Sequence, residues 1–118
     1  MPTFETVEEL KQSFADSKQK YREIWVSYDE NQHMCALINK NIGWVMYVSD
    51  DCEAGLCTRN MEYKGNFDDE IEYVLDNGQE DLYPVRWAIG VTEIYTALAT
   101  FLESGVLDNS LTWIEDDR

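Results

Sequence analysis

The chain has 118 residues, of which 24 are acidic and 9 basic, for a formal net charge of −15. Its length fits a single domain over residues 1–118, and its 13% aromatic content excludes a disordered acidic tail. The charge also argues against nucleic acid as a direct ligand, because nine bases cannot offset it beside phosphates.

The first predicted element is a helix over residues 7–19. Val7, Leu10 and Phe14 recur at helical spacing, and Thr6 with Glu9 matches a capping box at its start. Apolar and β-branched runs then predict strands at 23–28, 34–38, 43–49 and 56–60. The run at 43–49 is almost continuously apolar, which predicts a central, buried strand.

Two further strands and a second helix are predicted in the rest of the chain. Residues 69–75 alternate apolar and acidic positions, which indicates a half-exposed strand with an acidic outer face. Residues 83–89 predict a last strand, in which Pro84 favours an edge position or strand entry. A helix then starts at Gly90 or Thr92 and ends at Gly105.

This order of elements predicts the fold class. We expect one α+β domain with two layers, in which a mainly antiparallel sheet of five or six strands is flanked by an N-terminal and a C-terminal helix.

Acidic residues concentrate between Asp50 and Asp81, where eleven acids stand beside two bases. They fall in a predicted turn at 50–55 and on the predicted 69–75 strand, and such a surface suits a basic partner. The alternative for the acidic residues is a solvated face that binds nothing. The alternative for strand aromatics such as Tyr73 is a position in the core. The candidate partner-binding residues are Asp50, Asp51, Glu53, Tyr63, Phe67, Asp68, Asp69, Glu70, Glu72 and Tyr73.

Catalytic and metal-binding patterns are absent from the sequence. It contains no GxGxxG, phosphate-loop or GxSxG motif, and its one histidine, His33, lacks a plausible Ser or Cys triad setting and is expected to be solvated or simply packed. His33, Cys35, Cys52 and Cys57 together could supply zinc ligands, but no CxxC knuckle is present, and Cys35 within an apolar strand is typical of a buried thiol. We therefore predict no enzyme activity, no metal and no cofactor.

Cysteine usage and the N-terminal residues bear on the compartment. Three cysteines at irregular spacing argue against a disulfide framework, and the first residues lack the basic and apolar regions of a signal peptide. The expected location is the cytoplasm.

The second half of the chain carries a family resemblance. The 43–49 strand with its acidic turn, and the helix followed by Leu111, Thr112, Trp113, Ile114 and Glu115, resemble the immunity proteins of bacterial polymorphic toxin systems. That family includes deaminase-toxin immunity proteins with a C-terminal Leu-x-Trp-x-Glu motif. The resemblance implies a non-catalytic cytoplasmic protein that binds and neutralises a cognate toxin domain, which would be basic and act on nucleic acid, as a deaminase or nuclease does.

Two other interpretations stay open on the same acidity. One is an acidic DNA-mimic inhibitor, and the other is a general acidic protein-interaction module. Leu111 and Trp113 fall on one side of an extended tail, so we expect them to anchor that tail to the body of the domain.

Overall fold

The apolar runs of the sequence form the strands of one large sheet in a computed structural model that describes residues 3–16, 18–50 and 52–115. The elements in chain order are β1 (Thr3–Phe4), α1 (Val7–Asp16), β2 (Tyr21–Ser27), β3 (Gln32–Asn39), β4 (Ile42–Ser49), β5 (Cys52–Arg59), β6 (Glu70–Val74), β7 (Glu80–Pro84), a 3-10 turn (Val85–Trp87), β8 (Ile89–Gly90), α2 (Val91–Ser104) and β9 (Thr112–Glu115).

The main sheet has the strand order β1-β2-β3-β4-β5-β9, and the short β8 pairs with the start of β4. Neighbouring strands are antiparallel except for β1, which runs parallel to β2. The predicted central strand is β4, which lies between β3 and β5. The predicted tail forms β9, at the edge of the sheet.

Both helices cover one face of the sheet. Leu10 of α1 and Ile94, Leu98 and Phe101 of α2 are fully buried there, against apolar side chains of β2, β3 and β4. Leu111 and Trp113 pack against the same cluster. The α+β class with its two flanking helices is therefore confirmed.

Both ends of α2 and the start of α1 lie at the residues that the sequence indicates. The Glu9 backbone N–H donates to Thr6 Oγ1 at 3.2 Å, as a capping box requires. Gly90 caps the start of α2, and Gly105 ends it in the left-handed conformation with φ 71°. Helix α1 ends at Asp16, earlier than predicted. No helix in the described ranges is long and apolar enough to cross a membrane.

The opposite face of the sheet carries a third layer that the sequence did not predict. Among the described residues, strands β6 and β7 pair only with each other, and this hairpin lies across the sheet. The Asn39 side chain of β3 donates to the Glu72 carbonyl at 2.8 Å, and the Asp76 N–H donates to Glu23 Oε1 of β2 at 3.0 Å. Between the layers lies a second buried cluster, formed by Cys35, Leu37, Trp44, Cys57, Tyr73 and Trp87.

Two predicted boundaries are wrong. The strand expected at 83–89 is broken, because β7 ends at Pro84 and a 3-10 turn carries Trp87 into the core before β8 begins. Pro84 does lie on an edge strand, as predicted. The acidic turn expected at 50–55 is shorter, since the backbone resumes pairing at Cys52, opposite Ser49.

Candidate functional site

The loop between β5 and β6 is held in place by two asparagine side chains. Asn60 Oδ1 accepts the Glu62 N–H at 3.0 Å, and Asn66 Oδ1 accepts the Asp68 N–H at 3.0 Å. Such turns, in which an Asn side chain bonds the backbone two residues on, give a loop a defined path. The side chains between residues 60 and 69 therefore project from an ordered backbone.

Four apolar or aromatic side chains from this loop and from β9 form an open groove of about 280 Å³. Met61 is 71% exposed and Phe67 is 65% exposed, while Tyr63 and Ile114 complete the apolar lining. Folded monomers expose contiguous apolar surface of this kind mainly where they bind something. We call this surface the apolar groove.

Two arginines, Arg59 and Arg86, also line the groove and contact aromatic rings. The Arg86 guanidinium lies 3.8 Å from the centre of the Phe67 ring and donates to the Phe67 carbonyl at 2.9 Å. Arg59 lies 4.4 Å from the Trp87 ring centre and donates to the Thr58 and Glu115 carbonyls. The contacts of Arg86 hold one face of the Phe67 ring against a cation and leave most of the ring open to solvent.

Tyr63 forms one wall of the groove, and the position of its ring requires a glycine at residue 65. The Tyr63 hydroxyl lies 3.0 Å from Asp69 Oδ2 and 3.1 Å from the Asn66 carbonyl. Desolvation and the bond to Asp69 raise the pKa of this phenol. A Cβ at position 65 would overlap the Tyr63 hydroxyl, so glycine allows the ring to fold back onto its own loop.

A row of carboxylates runs from the groove across the hairpin, and it meets the groove at Asp69, which accepts the Tyr63 hydroxyl. We call Asp68, Asp69, Glu70 and Glu72 the acidic strip; the first three are exposed and the fourth is half-buried. The Tyr21 hydroxyl donates to Glu72 Oε1 at 3.0 Å, which fixes that end of the strip to β2. The fold therefore brings Tyr63 and Asp69 into contact beside Phe67, whereas Glu72 lies at the far end of the strip, against β2 and β3.

Asp50 lies away from the acidic strip. Its N–H donates to the Asn31 carbonyl beside the start of β3, whereas Glu72 is bonded to Asn39 at the end of β3. Seven residue steps along a strand separate these ends by about 23 Å. The predicted single patch joining the 50–55 turn to the 69–75 strand is therefore wrong. Asp51 and the side chain of Glu53 lie outside the described residues.

Tyr73 is also wrongly placed among the surface candidates. The residue is fully buried between the hairpin and the sheet, so it cannot contact a partner directly. Burial raises the pKa of its phenol. Among the described residues its hydroxyl has no hydrogen-bond partner, a condition it shares with the indole N–H groups of Trp44 and Trp87. Tyr73 therefore takes the core position that was the alternative to a surface position.

His33 lies beside a serine at the β2–β3 turn. Ser27 Oγ lies 2.8 Å from His33 Nδ1, and the Glu30 carbonyl lies 3.2 Å from Nε2. Because that carbonyl can only accept, Nε2 carries the proton and Nδ1 accepts from Ser27. Ser27 and His33 are cross-strand neighbours beside the β2–β3 turn, so the contact ties the two strands together.

Metal ligands do not converge in the part of the chain that is described, where no group of three or more His, Cys, Asp or Glu side chains could hold an ion. Cys35 and Cys57 are both buried. Desolvation, followed by the charge of Glu23, raises the pKa of Cys35, which keeps that thiol protonated.

Met61, Arg86 and Ile114 were not predicted as site residues. The residues around Met61 and Arg86 show no regular alternation or helical spacing, so no periodic pattern in the sequence identifies these two residues. Ile114 alternates with Trp113, and that alternation was the available signal for an outward side chain at the edge of the sheet.

Comparison of the chain with protein-family models finds no match. Comparison with curated proteins finds no similar sequence.

Proposed function

We propose that the protein is an immunity protein, which binds a cognate bacterial toxin domain and thereby neutralises it. The observation that carries this proposal is the apolar groove together with the acidic strip, which starts at the groove with Asp69 and runs away from it along the hairpin. Exposed aromatic and apolar side chains surrounded by charge are the usual make-up of a protein-binding hot spot and its rim. The Leu-x-Trp-x-Glu resemblance supports the same class of partner.

Charge supports a basic protein as the partner. Between residues 60 and 86 the chain carries the acids Glu62, Asp68, Asp69, Glu70, Glu72, Asp76, Glu80 and Asp81, and its only bases there are Lys64 and Arg86. Toxin domains that act on DNA or RNA need cationic surfaces to hold phosphates. Complementary charge raises association rates toward about 10⁸–10⁹ M⁻¹s⁻¹, which suits the capture of a lethal protein.

Inhibition on this proposal is by occupation of the substrate's place. The acidic strip lies against the cationic surface that would otherwise hold nucleic acid, and Phe67 and Met61 insert into an apolar recess of the toxin. A standard interface buries about 800 Å² on each partner, an area for which the groove, the acidic strip and the adjoining edge of the sheet are available.

Co-expression tests the proposal. The gene is expressed together with the toxin domain encoded beside it, and growth is measured. We expect wild type and Val106→Ala to restore growth, because Val106 is 54% exposed but lies outside the groove. The double variant Met61→Ala/Phe67→Ala should lose the rescue while remaining folded. Death of cells that contain folded wild-type protein would overturn the proposal.

A DNA-mimic inhibitor is the second candidate, favoured by the spacing of the acidic strip. Glu70 and Glu72 are two residues apart on β6, which places their backbones about 7 Å apart along one strand. A mimic acts through charge alone, so it should inhibit an unrelated non-specific endonuclease in a salt-dependent manner. An immunity protein should leave that enzyme active and inhibit only its cognate toxin.

A further inference from the structure

Strand β9 is an open edge of the main sheet. Among the described residues it pairs only with β5, through Thr112 to Glu115. In an antiparallel pair every second residue points its N–H and C=O away from the neighbour, so two of these four residues direct both groups outward. The strand contains no proline and no lysine, two residues that proteins use to block such edges.

The strand at the other edge of the sheet, β1, has fewer backbone groups with which an added strand could pair. In the described part of the chain, strand β1 consists of Thr3 and Phe4 alone. A pairing partner there could form at most one or two ladder bonds. Of these two edge strands, β9 is therefore the longer, and it offers more backbone groups to an added strand.

The apolar groove begins at this edge. Ile114 pairs with Cys57, whose side chain belongs to the cluster beneath the hairpin, so Ile114 faces the hairpin side of the sheet. Trp113 packs on the helix side. A strand laid beside β9 would alternate in the same way and would present every second side chain to the groove.

Among the exposed side chains around this edge, acids outnumber the one base, Lys64. Glu115 ends β9, and Glu62 and Asp68 are exposed on the loop that forms the groove. An added strand would meet these carboxylates with its flanking side chains, which favours lysine or arginine at those positions.

We infer that the partner docks by adding an extended cationic segment as a further strand to β9, with alternate apolar side chains in the groove. The inference rests on the proposed function, because it describes how the same toxin would be held. Backbone bonds to β9 supply affinity, while the groove and the carboxylates select a segment that alternates apolar and basic residues.

A synthetic peptide tests this inference directly. The probe has about seven residues that alternate lysine and valine, a length matched to a short strand. Two N-methylated versions are made, each with methyl groups along one of the two backbone edges. Because an added strand uses one edge only, we expect one version to bind about tenfold more weakly and the other to bind like the parent. Equal binding of both versions, or failure of the parent to bind, would overturn the inference.

Site-resolved measurements complete the test. Amide hydrogen exchange of the full chain should slow within Thr112–Glu115 when the parent peptide is added, and slowing confined to other strands would contradict the inference. Phe67→Ala should weaken peptide binding about fivefold, and Val106→Ala should leave it unchanged. A glutamate–valine peptide should not bind. If growth rescue by wild type holds while these peptide results fail, strand addition is wrong and the proposed function stands.

Discussion

Phe67 is held in an exposed position by its contacts. Full burial of a phenylalanine side chain stabilises a protein by roughly 1.5–3 kcal/mol, and a ring that is 65% exposed gains little of this. The ring is nevertheless ordered, because Arg86 lies against one face and bonds the Phe67 carbonyl. An aromatic ring that is fixed in advance loses little conformational entropy when a partner covers it.

Asp29 illustrates how a single carboxylate supports a turn. Its Oδ1 accepts the N–H groups of Asn31 and Gln32, each at 2.8 Å. The bond from Asn31 is the main cause that lowers the pKa of this carboxyl. A lowered pKa in the folded state means that the stabilisation is present above the pKa of the unfolded chain and is lost as the pH falls through the folded value.

The corresponding prediction is a pH-dependent loss of stability in Asp29→Ala. The difference in unfolding free energy between wild type and variant should be present at pH 7. It should begin to shrink below about pH 4, where the unfolded carboxyl takes up its proton, and vanish once the folded carboxyl, whose pKa is lower, is protonated as well. Urea unfolding at several pH values measures it. Glu30→Ala, which removes one charge from the same turn, is the control. A difference that stays constant with pH would contradict the assigned role of the carboxylate.

Tyr73→Phe tests the buried hydroxyl beneath the hairpin. A buried hydroxyl without a partner costs about 1–3 kcal/mol, so its removal should raise the unfolding free energy by about 1 kcal/mol. Tyr21→Phe is the matched control and should lower stability by about 1 kcal/mol, because its hydroxyl bonds Glu72. Denaturant unfolding of both variants measures the effects. Destabilisation by Tyr73→Phe would show that the hydroxyl is bonded.

Among the secondary-structure elements, the helices could be predicted most closely from the sequence. Their apolar stripes and end residues are local features, and Thr6, Glu9 and Gly105 act where the pattern placed them. Strands β2 to β5 could also be located, although β5 begins earlier than expected. The two-residue β1 is too short to leave a pattern.

The hairpin could not be placed because alternation is ambiguous about partners. Ile71 and Tyr73 show that one face of β6 is buried, but the same pattern fits a strand in the main sheet and a strand lying across it. The choice depends on long-range contacts such as those of Asn39 with Glu72 and of Tyr73 with Trp44 and its neighbours. For the same reason the groove, which joins residues about 50 positions apart, left no mark in the sequence.

Strand β9 provides a prediction about the tail. Trp113 is half-buried, its Nε1 donates to the Asp108 carbonyl at 3.0 Å, and its ring packs on the helix-side core. Trp113→Ala should lower the unfolding free energy by about 3 kcal/mol, the low end for a large aromatic side chain.

The control for Trp113→Ala is Thr112→Ala, at an exposed position of the same strand, which should change stability by less than about 0.5 kcal/mol. Thermal and denaturant unfolding measure both variants. If Trp113→Ala kept its melting temperature but lost partner binding, Trp113 would be a contact residue instead of an anchor.

At the scale of the whole molecule, the negative charge is divided between separate regions. The acidic strip lies on the hairpin layer, and Asp50 lies about 23 Å or more away along the sheet. Exposed charges act on an approaching protein mainly through long-range steering, so the region that faces the partner should dominate the association rate.

Neutralising the acidic strip tests this division. The variant Asp68→Asn/Asp69→Asn/Glu70→Gln/Glu72→Gln should associate more slowly with the toxin and show a weaker dependence on salt, with a smaller change in dissociation. The control Glu5→Gln/Glu30→Gln/Asp50→Asn/Glu103→Gln removes the same formal charge from exposed positions elsewhere. Stopped-flow association over a range of salt concentrations measures both. Equal slowing by the two variants would show that only total charge matters.

The position of β9 at the edge of the sheet also has a consequence for synthesis. Ile114, which forms one wall of the groove, pairs beside a strand translated about 55 residues earlier. Until Ile114 has left the ribosome, the edge of β5 is uncovered and the groove has only the loop side. A nascent chain thus becomes competent to bind through this surface only after β9 has been made, and a product that stops before Thr112 lacks the surface however well its helices fold.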